Sequence, residues 1–327
     1  MKVLITGATG FLGNNVAKKI IEEYPNYQVY GLGRNQSKML NIKNLNWIKG
    51  DLSDKEFILR LQKENFNTII HCAALSNTYG VYDEFYKSNI LSTENIIQLA
   101  KKNNALLIYI STPSIFAKDK NQYDIVEDSE IDFDYIKNSN YISTKYESEI
   151  KVKDSLEKAY ILRPRAIFGK NDTTIWPKLM KANKKIGVPI FREGNVKLSF
   201  TYIDSITNFI CKLMVEEPKE VEIYNLCDGN IEIKEALEIF QKYADFSVKG
   251  AKVSFNLLKK LAKFLKIITP KTKEPVVSEE TLSLLYYDMT FNTEKAVKKG
   301  YKSLKSFDEI IEDNMKSWDG EKNLWKI

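Results

Sequence analysis

Thr6-Gly7-Ala8-Thr9-Gly10-Phe11-Leu12-Gly13 follows directly on the apolar run Val3–Thr6. Small residues here let the backbone turn tightly from a strand into a helix and approach a pyrophosphate, which the helix N-terminus stabilises with unpaired N–H groups. The spacing is G-x-x-G-x-x-G rather than G-x-G-x-x-G, and a tight turn without any ligand has the same glycines. Position favours the ligand, because the first strand–helix junction is the context a dinucleotide site requires. Gly7, Thr9, Gly10, Phe11, Leu12 and Gly13 are therefore candidate cofactor contacts.

Outward from this turn, short apolar runs alternate with helical patterns. Strands are predicted at Val3–Thr6, Gln28–Leu32, Trp47–Lys49, Thr68–Cys72, Leu106–Ser111 and Ala159–Leu162, with helices at Asn14–Glu23, Asp83–Asn103 and Asn140–Lys158. Such alternation predicts an α/β fold, a doubly wound parallel sheet of the Rossmann type. Ile223–Leu226 reads as a further strand returning to that sheet. Residues 1–164 and 196–229 are assigned to the dinucleotide-binding domain, and 165–195 and 230–327 to a smaller, mixed substrate-binding region.

Composition narrows the partners. The 49 basic and 43 acidic residues nearly balance, leaving a net charge of +6 that suits small anionic ligands and does not argue for nucleic acid. Only five basic residues are Arg (34, 60, 163, 165 and 192), the side chain preferred for bidentate anion recognition. His71 is the sole histidine, which excludes a His-based triad or a multi-His metal site, and no metal is expected. Cys72, Cys211 and Cys227 are too scattered for metal spacing and read as reduced thiols of a cytoplasmic protein. The first residues are already a strand, so no signal peptide is read there, and no apolar run reaches the roughly 18 residues of a membrane span.

The end of the second strand selects the dinucleotide: a carboxylate there binds the ribose hydroxyls of NAD, whereas Arg accommodates the extra phosphate of NADP. Gly31-Leu32-Gly33-Arg34-Asn35 offers Arg34 and no carboxylate, with Lys38 shortly after, which favours NADP over NAD. Asp51-Leu52, after the third strand, is placed to hold the adenine, although an Asp at a strand end often serves only as a turn or cap.

Tyr141 and Lys145 form a Y-x-x-x-K pair whose spacing puts both side chains on one helix face. There an ammonium lowers the phenol's pKa, and the phenol can exchange a proton while hydride moves to or from a nicotinamide. Given 18 tyrosines and the abundance of lysine, chance supplies about two such pairs, and Tyr301 and Lys305 form a second. Position separates them. Tyr141 enters a helix after the strand ending Tyr109-Ile110-Ser111-Thr112, whose C-terminal end faces the cofactor crevice, whereas Tyr301 follows Gly300 in a Lys-rich late segment. Ser111 or Thr112 supplies the hydroxyl that holds the substrate oxygen.

Taken together with Gly50-Asp51-Leu52, His71-Cys72-Ala73-Ala74, Asn89, Leu162-Arg163-Pro164, Phe200–Asp204 and Tyr224-Asn225-Leu226, these residues resemble the extended short-chain dehydrogenase/reductase family over most of the chain. The resemblance implies that Tyr141 is the acid/base and that Lys145 orients the nicotinamide ribose. It gives the oxygen-binding role to Thr112, four residues before Phe116, and adds Ala73, Ala74, Asn89 and Pro164 to the cofactor contacts. His71 then belongs to a strand motif rather than to catalysis. Homodimerisation through Asp83–Asn103 and Asn140–Lys158 is likewise implied. Nucleotide-sugar epimerases and dehydratases of this family tend to carry Arg-Asp where Lys197-Leu198 stands here. Arg163–Thr173 and Asp288–Asn292 are instead more similar to the 3β-hydroxysteroid dehydrogenase-like branch, which includes reductases of 2-alkyl-3-oxoalkanoates.

Ser254–Ile268 is strongly amphipathic. Leu257, Leu258, Leu261, Phe264, Leu265 and Ile268 share one face, and Lys259, Lys260, Lys263 and Lys266 the other. The favoured reading is a surface helix covering a core; a lid or a membrane-surface contact is the alternative. The leading functional expectation is interconversion of a ketone and a secondary alcohol on a hydrophobic small molecule, β-keto acyl or sterol-like. A nucleotide-sugar epimerase or dehydratase with tightly held NAD is the second, and a cofactor-sensing protein without turnover the third.

Overall fold

The computed structural model describes the chain except residues 36–41, 78, 171, 173–174, 176–182, 184–186, 244–246, 248–249, 271–277 and 319–327. Lys38 lies outside the described residues. The chain runs β1 (Lys2–Thr6), α1 (Phe11–Glu23), β2 (Gln28–Gly33), β3 (Leu45–Lys49), α2 (Lys55–Leu61), β4 (Thr68–His71), α3 (Tyr82–Phe85), α4 (Ser92–Asn103) and β5 (Leu106–Ile110). It continues with β6 (Gln122–Ile125), α5 (Phe133–Ile136), α6 (Asn140–Ser155), β7 (Ala159–Pro164), β8 (Ile167–Phe168), β9 (Val188–Ile190), β10 (Lys197–Tyr202), α7 (Ile203–Met214) and β11 (Val221–Leu226). Last come β12 (Gly229–Glu232), α8 (Ile233–Tyr243), β13 (Gly250–Lys252), α9 (Phe255–Ile268), α10 (Glu279–Tyr286), β14 (Met289–Phe291), α11 (Glu294–Lys299) and α12 (Phe307–Trp318).

Seven strands form one sheet in the order β11-β7-β5-β4-β1-β2-β3, and every pairing in it is parallel. Its strands are apolar on both faces because side chains alternate between two cores. Val3, Ile5, Ile70, Ile108, Tyr160 and Leu162 join Val16 and Ile20 of α1 and Ile206 and Phe209 of α7. Leu4, Ile69, Leu107, Tyr109 and Ile161 join Phe57 of α2, Ile96 of α4 and Val152 of α6. The fold is thus the doubly wound, Rossmann-like sheet expected from the alternation, and Ile223–Leu226 does return to it beside β7. Strand order reverses between β1 and β4, and the crevice at such a switch point is where ligands bind.

Two expectations need correction. The helix predicted over Asp83–Asn103 is not uniform: a π-helical stretch, Tyr86–Leu91, separates α3 from α4, and it buries Asn89. Sequence periodicity has no signal for one inserted residue per turn, yet such bulges recur at functional sites. The apolar face of α9 is also only partly a core face. Leu258 and Ala262 pack with Phe191 and Leu282, while Leu257, Leu261, Phe264 and Ile268 are exposed. No helix among the described residues is long and apolar enough to cross a membrane.

A smaller sheet, β12-β10-β14-β6 with β8 paired to β10, packs Ile125, Met289 and Phe291 against Ile115 and Phe116 beside the end of β5.

Candidate active site

The glycine turn is built for close approach. Gly7 has φ +65°, and a Cβ there would sit 2.8 Å from the Ala73 nitrogen. At Gly13 a Cβ would lie 2.5 Å from the Gly7 carbonyl oxygen, so neither position accepts a side chain without moving backbone. Gly10 precedes α1 with no side-chain cap, and no acidic residue stands in the first turn. Asn14 is buried there with its Nδ2 lacking a hydrogen-bond partner. Uncapped N–H groups, an orphaned amide and a positive helix end fit a dinucleotide pyrophosphate.

Around the turn, Thr6 Oγ1 lies 2.7 Å from His71 Nδ1 and accepts the Ala73 N–H at 3.2 Å, while His71 Nε2 lies 3.1 Å from Thr93 Oγ1. Burial pushes the His71 pKa down to about 3, so the ring is a neutral clamp between β1, β4 and α4. Asn89 accepts the Leu75 N–H at 2.7 Å and donates to the Leu75 carbonyl and to Thr144 Oγ1, fastening the chain after β4 onto α6. Ala74 is exposed on that same stretch, and Pro164 closes β7 at the same sheet end.

Arg34 and Asp51, read separately in the sequence, come together: Arg34 Nη1 lies 4.0 Å from Asp51 Oδ2, both largely exposed. Asp51 also caps its own turn, with Oδ1 accepting Ser53 N at 2.9 Å and Ser53 Oγ at 2.8 Å. Leu52 is buried in the core, and its carbonyl accepts from Asn95 at 2.8 Å.

At the end of β5 the two candidate hydroxyls separate. Ser111 Oγ donates to Glu149 Oε2 at 2.5 Å, and that carboxylate forms a fork with Arg163, Nε to Oε2 at 3.1 Å and Nη2 to Oε1 at 2.5 Å. Thr112 caps the turn Pro113–Phe116 by accepting the Ser114 N–H at 3.2 Å, which leaves its hydroxyl proton for another acceptor. Tyr141 and Lys145 lie one turn apart on α6, with Tyr141 against the Ile115 and Phe116 cluster. Lys145 Nζ donates to Tyr109 Oη at 2.6 Å and to the Ile110 carbonyl at 2.7 Å. Sequence reasoning missed Tyr109 as the lysine's partner, and Glu149 altogether; the alternation that buries Tyr109 on the α6 side of β5 was the available signal.

The second Y-x-x-x-K pair is dispersed. Tyr301 donates to Asp228 at 2.8 Å, Lys305 pairs with Asp313, and the pair lies outside any helix. A cavity of about 470 Å³ between Phe191, Arg192, Phe255 and Tyr286 is lined by none of Thr112, Tyr141 and Lys145.

Burial pushes the Lys145 ammonium down to about 7 from 10.5, the nearby Glu149 charge working against it. The folded chain therefore binds fewer protons than the unfolded chain between those values, so this group's contribution to stability rises with pH across that window. Melting temperatures of the cofactor-free protein are expected to show this slope relative to Lys145→Met; identical pH profiles for the two proteins would contradict it.

Residues 3–227 match the NAD dependent epimerase/dehydratase family. The chain belongs to this family. Its members are NAD-dependent enzymes of the extended short-chain dehydrogenase/reductase type, as the glycine turn and the sheet already indicated. A 2-alkyl-3-oxoalkanoate reductase of Stenotrophomonas maltophilia is 27% identical over 63% of this chain and 62% of its own length, so the match leaves over a third of that relative unspanned. A 4-hydroxy-2-methyl-3-oxo-4-farnesyl-3,4-dihydroquinoline-1-oxide ketoreductase of Stigmatella aurantiaca is 22% identical over 90% of each chain. Among solved structures, MoeE5 in complex with UDP-glucuronic acid and NAD aligns with a TM-score of 0.76 at 16% identity, covering 98% of this chain and 100% of that one; this likeness concerns the fold.

Proposed function

We propose that this family member interconverts a ketone and a secondary alcohol on a hydrophobic substrate of β-keto acyl or sterol-like type. The observation that carries the reading is Lys145 Nζ, 2.7 Å from the Ile110 carbonyl, which ties the Tyr141–Lys145 face of α6 to the edge of β5 that ends in Thr112. Thr112 donates its hydroxyl proton to the substrate oxygen, and Tyr141 delivers the proton that converts the developing alkoxide to an alcohol. Lys145, when charged, stabilises the tyrosinate left behind. A nicotinamide dinucleotide, when bound, supplies or takes up the hydride. Gly7, Thr9, Gly10, Phe11, Leu12 and Gly13 would hold its pyrophosphate, Asp51 and Leu52 its adenine, and Ala73, Ala74, Asn89 and Pro164 would complete the dinucleotide contacts. Tyr135, partly buried on the same cluster as Tyr141, offers an apolar wall, and residues 165–195 and 230–327 supply the rest of the substrate region. A homodimer formed through α4 and α6 is part of the same proposal.

NADP(H) is the preferred cofactor in this reading, with Arg34 exchanging Asp51 for the ribose phosphate. Charge-assisted hydrogen bonds contribute about 1.5–3 kcal/mol, so Arg34→Ala should weaken NADPH by about 10- to 100-fold. NADH should change far less; equal losses in fluorescence titrations would refute the preference.

The nucleotide-sugar reading is supported by the UDP-glucuronic acid held by MoeE5. Turnover across β-keto acyl, steroid and nucleotide-sugar panels separates the two. Consumption of added NADPH or NADH with a ketone supports reduction. Co-purified NAD, with sugar interconversion and no consumption, supports the epimerase.

A further inference from the structure

The scarce arginines differ in how their charge is met. Arg34 faces Asp51, Arg163 is forked onto Glu149, Arg192 reaches Asp288 at 3.1 Å, and Arg60 lies exposed beside the Phe57 ring. Arg165 is only 8% exposed, yet no carboxylate among the described residues pairs with it. Among the described residues its side chain makes one long hydrogen bond, Nη1 to Ser114 Oγ at 3.4 Å, and its Nε is buried without a partner. A guanidinium carries five N–H donors and stays charged, so burying it this way is costly unless an anion arrives to complete it.

Its placement says where that anion would sit. Arg165 directly follows β7 at the ligand-binding end of the sheet. Its backbone is pinned, the N–H to Leu226 and Thr201 and the carbonyl accepting from Thr201 Oγ1 at 2.6 Å. The next residue, Ala166, is held at φ +42°, a strained conformation for a non-glycine that recurs where a side chain must be aimed. The serine that Arg165 reaches is the one whose N–H Thr112 caps, so the guanidinium stands beside the oxygen-binding turn. The phenols of Tyr141 and Tyr135 are close enough to act on its charge, although burial still lowers its pKa to about 10.

We propose that Arg165 binds a carboxylate carried by the substrate near its reacting carbonyl, so that the substrate is an oxo acid rather than a neutral ketone or thioester. This rests on Thr112, Tyr141 and Lys145 being the reacting centre, as proposed above. A planar carboxylate matches the guanidinium fork, and the orphaned Nε is one of the two donors such a pair uses.

The test is calorimetric titration of the NADPH-loaded protein with octanoate and with methyl octanoate, two unreactive probes differing in the charge. Wild type should bind octanoate at least about tenfold more tightly, Arg165→Lys should keep part of that gap, and Arg165→Gln should lose it. NADPH affinity should be the same in all three. Equal affinity for the two probes in wild type, failure to bind octanoate, a gap that survives in Arg165→Gln, or loss of NADPH binding in that variant each overturns the inference. The wild-type comparison stands even where the variant does not fold. Octanoate selectivity without ketone turnover would remove the reductase reading and keep the carboxylate site; equal turnover of an oxo acid and its ester would do the reverse.

Discussion

Tyr141→Phe is expected to lower kcat for ketone reduction by about 10²–10⁴-fold while leaving dinucleotide affinity within a few-fold of wild type. The phenol ring packs with Ile115 and Phe116, and Phe preserves that packing, so the change removes the hydroxyl and its proton while the ring stays in place. The glycine turn and Asn14 are untouched by it. Lys145 keeps its bonds to Tyr109 and Ile110, so its position does not depend on the missing hydroxyl. Stopped-flow turnover alongside cofactor titration checks both halves. Unchanged turnover would remove Tyr141 from the chemistry, and lost cofactor binding would make it a structural residue.

The second large effect concerns stability. Glu149 and Arg163 have side chains 3% and 4% exposed, and Glu149 also accepts the Ser111 hydroxyl. Glu149→Ala leaves a buried guanidinium with the Glu127 carbonyl and the Phe116 ring as its remaining contacts. Stranding a buried charge costs about 3–5 kcal/mol, a large share of an ordinary folding free energy. Desolvation of the charges is the cause, so Glu149→Leu combined with Arg163→Met should recover most of the loss. Urea denaturation measures each; a double variant as unstable as Glu149→Ala would contradict the desolvation argument.

The parts of this site legible in the sequence are those decided locally. Gly7 and Gly13 are constrained by backbone conformation and close approach within one turn, so spacing announces them. Alternating apolar residues announced β1, β4 and β5, because a strand buried on both faces leaves a distinctive run. Tyr141 and Lys145 were legible only in context, since the same spacing at Tyr301 and Lys305 turned out to join two residues with unrelated partners. What stayed hidden depends on elements distant in the chain. The bond that occupies the Ser111 hydroxyl comes from Glu149, 38 residues away. Arg34 meets Asp51 only because β2 and β3 pair in parallel, and the exposure of Leu257 and Phe264 on α9 depends on what else packs there. The π-helical stretch that buries Asn89 has no periodic signature at all.

Ketone reduction by this protein can be followed through a labelled hydride. NADPH and NADH carrying deuterium at C4 of the nicotinamide would be incubated with the protein and a ketone panel, and the products analysed by mass spectrometry. Hydride transfer to a ketone at the Thr112–Tyr141–Lys145 centre requires an alcohol with deuterium on the carbinol carbon and one equivalent of oxidised cofactor per product. Unlabelled product formed without cofactor consumption, or no alcohol from any ketone while nucleotide sugars are interconverted, would contradict it.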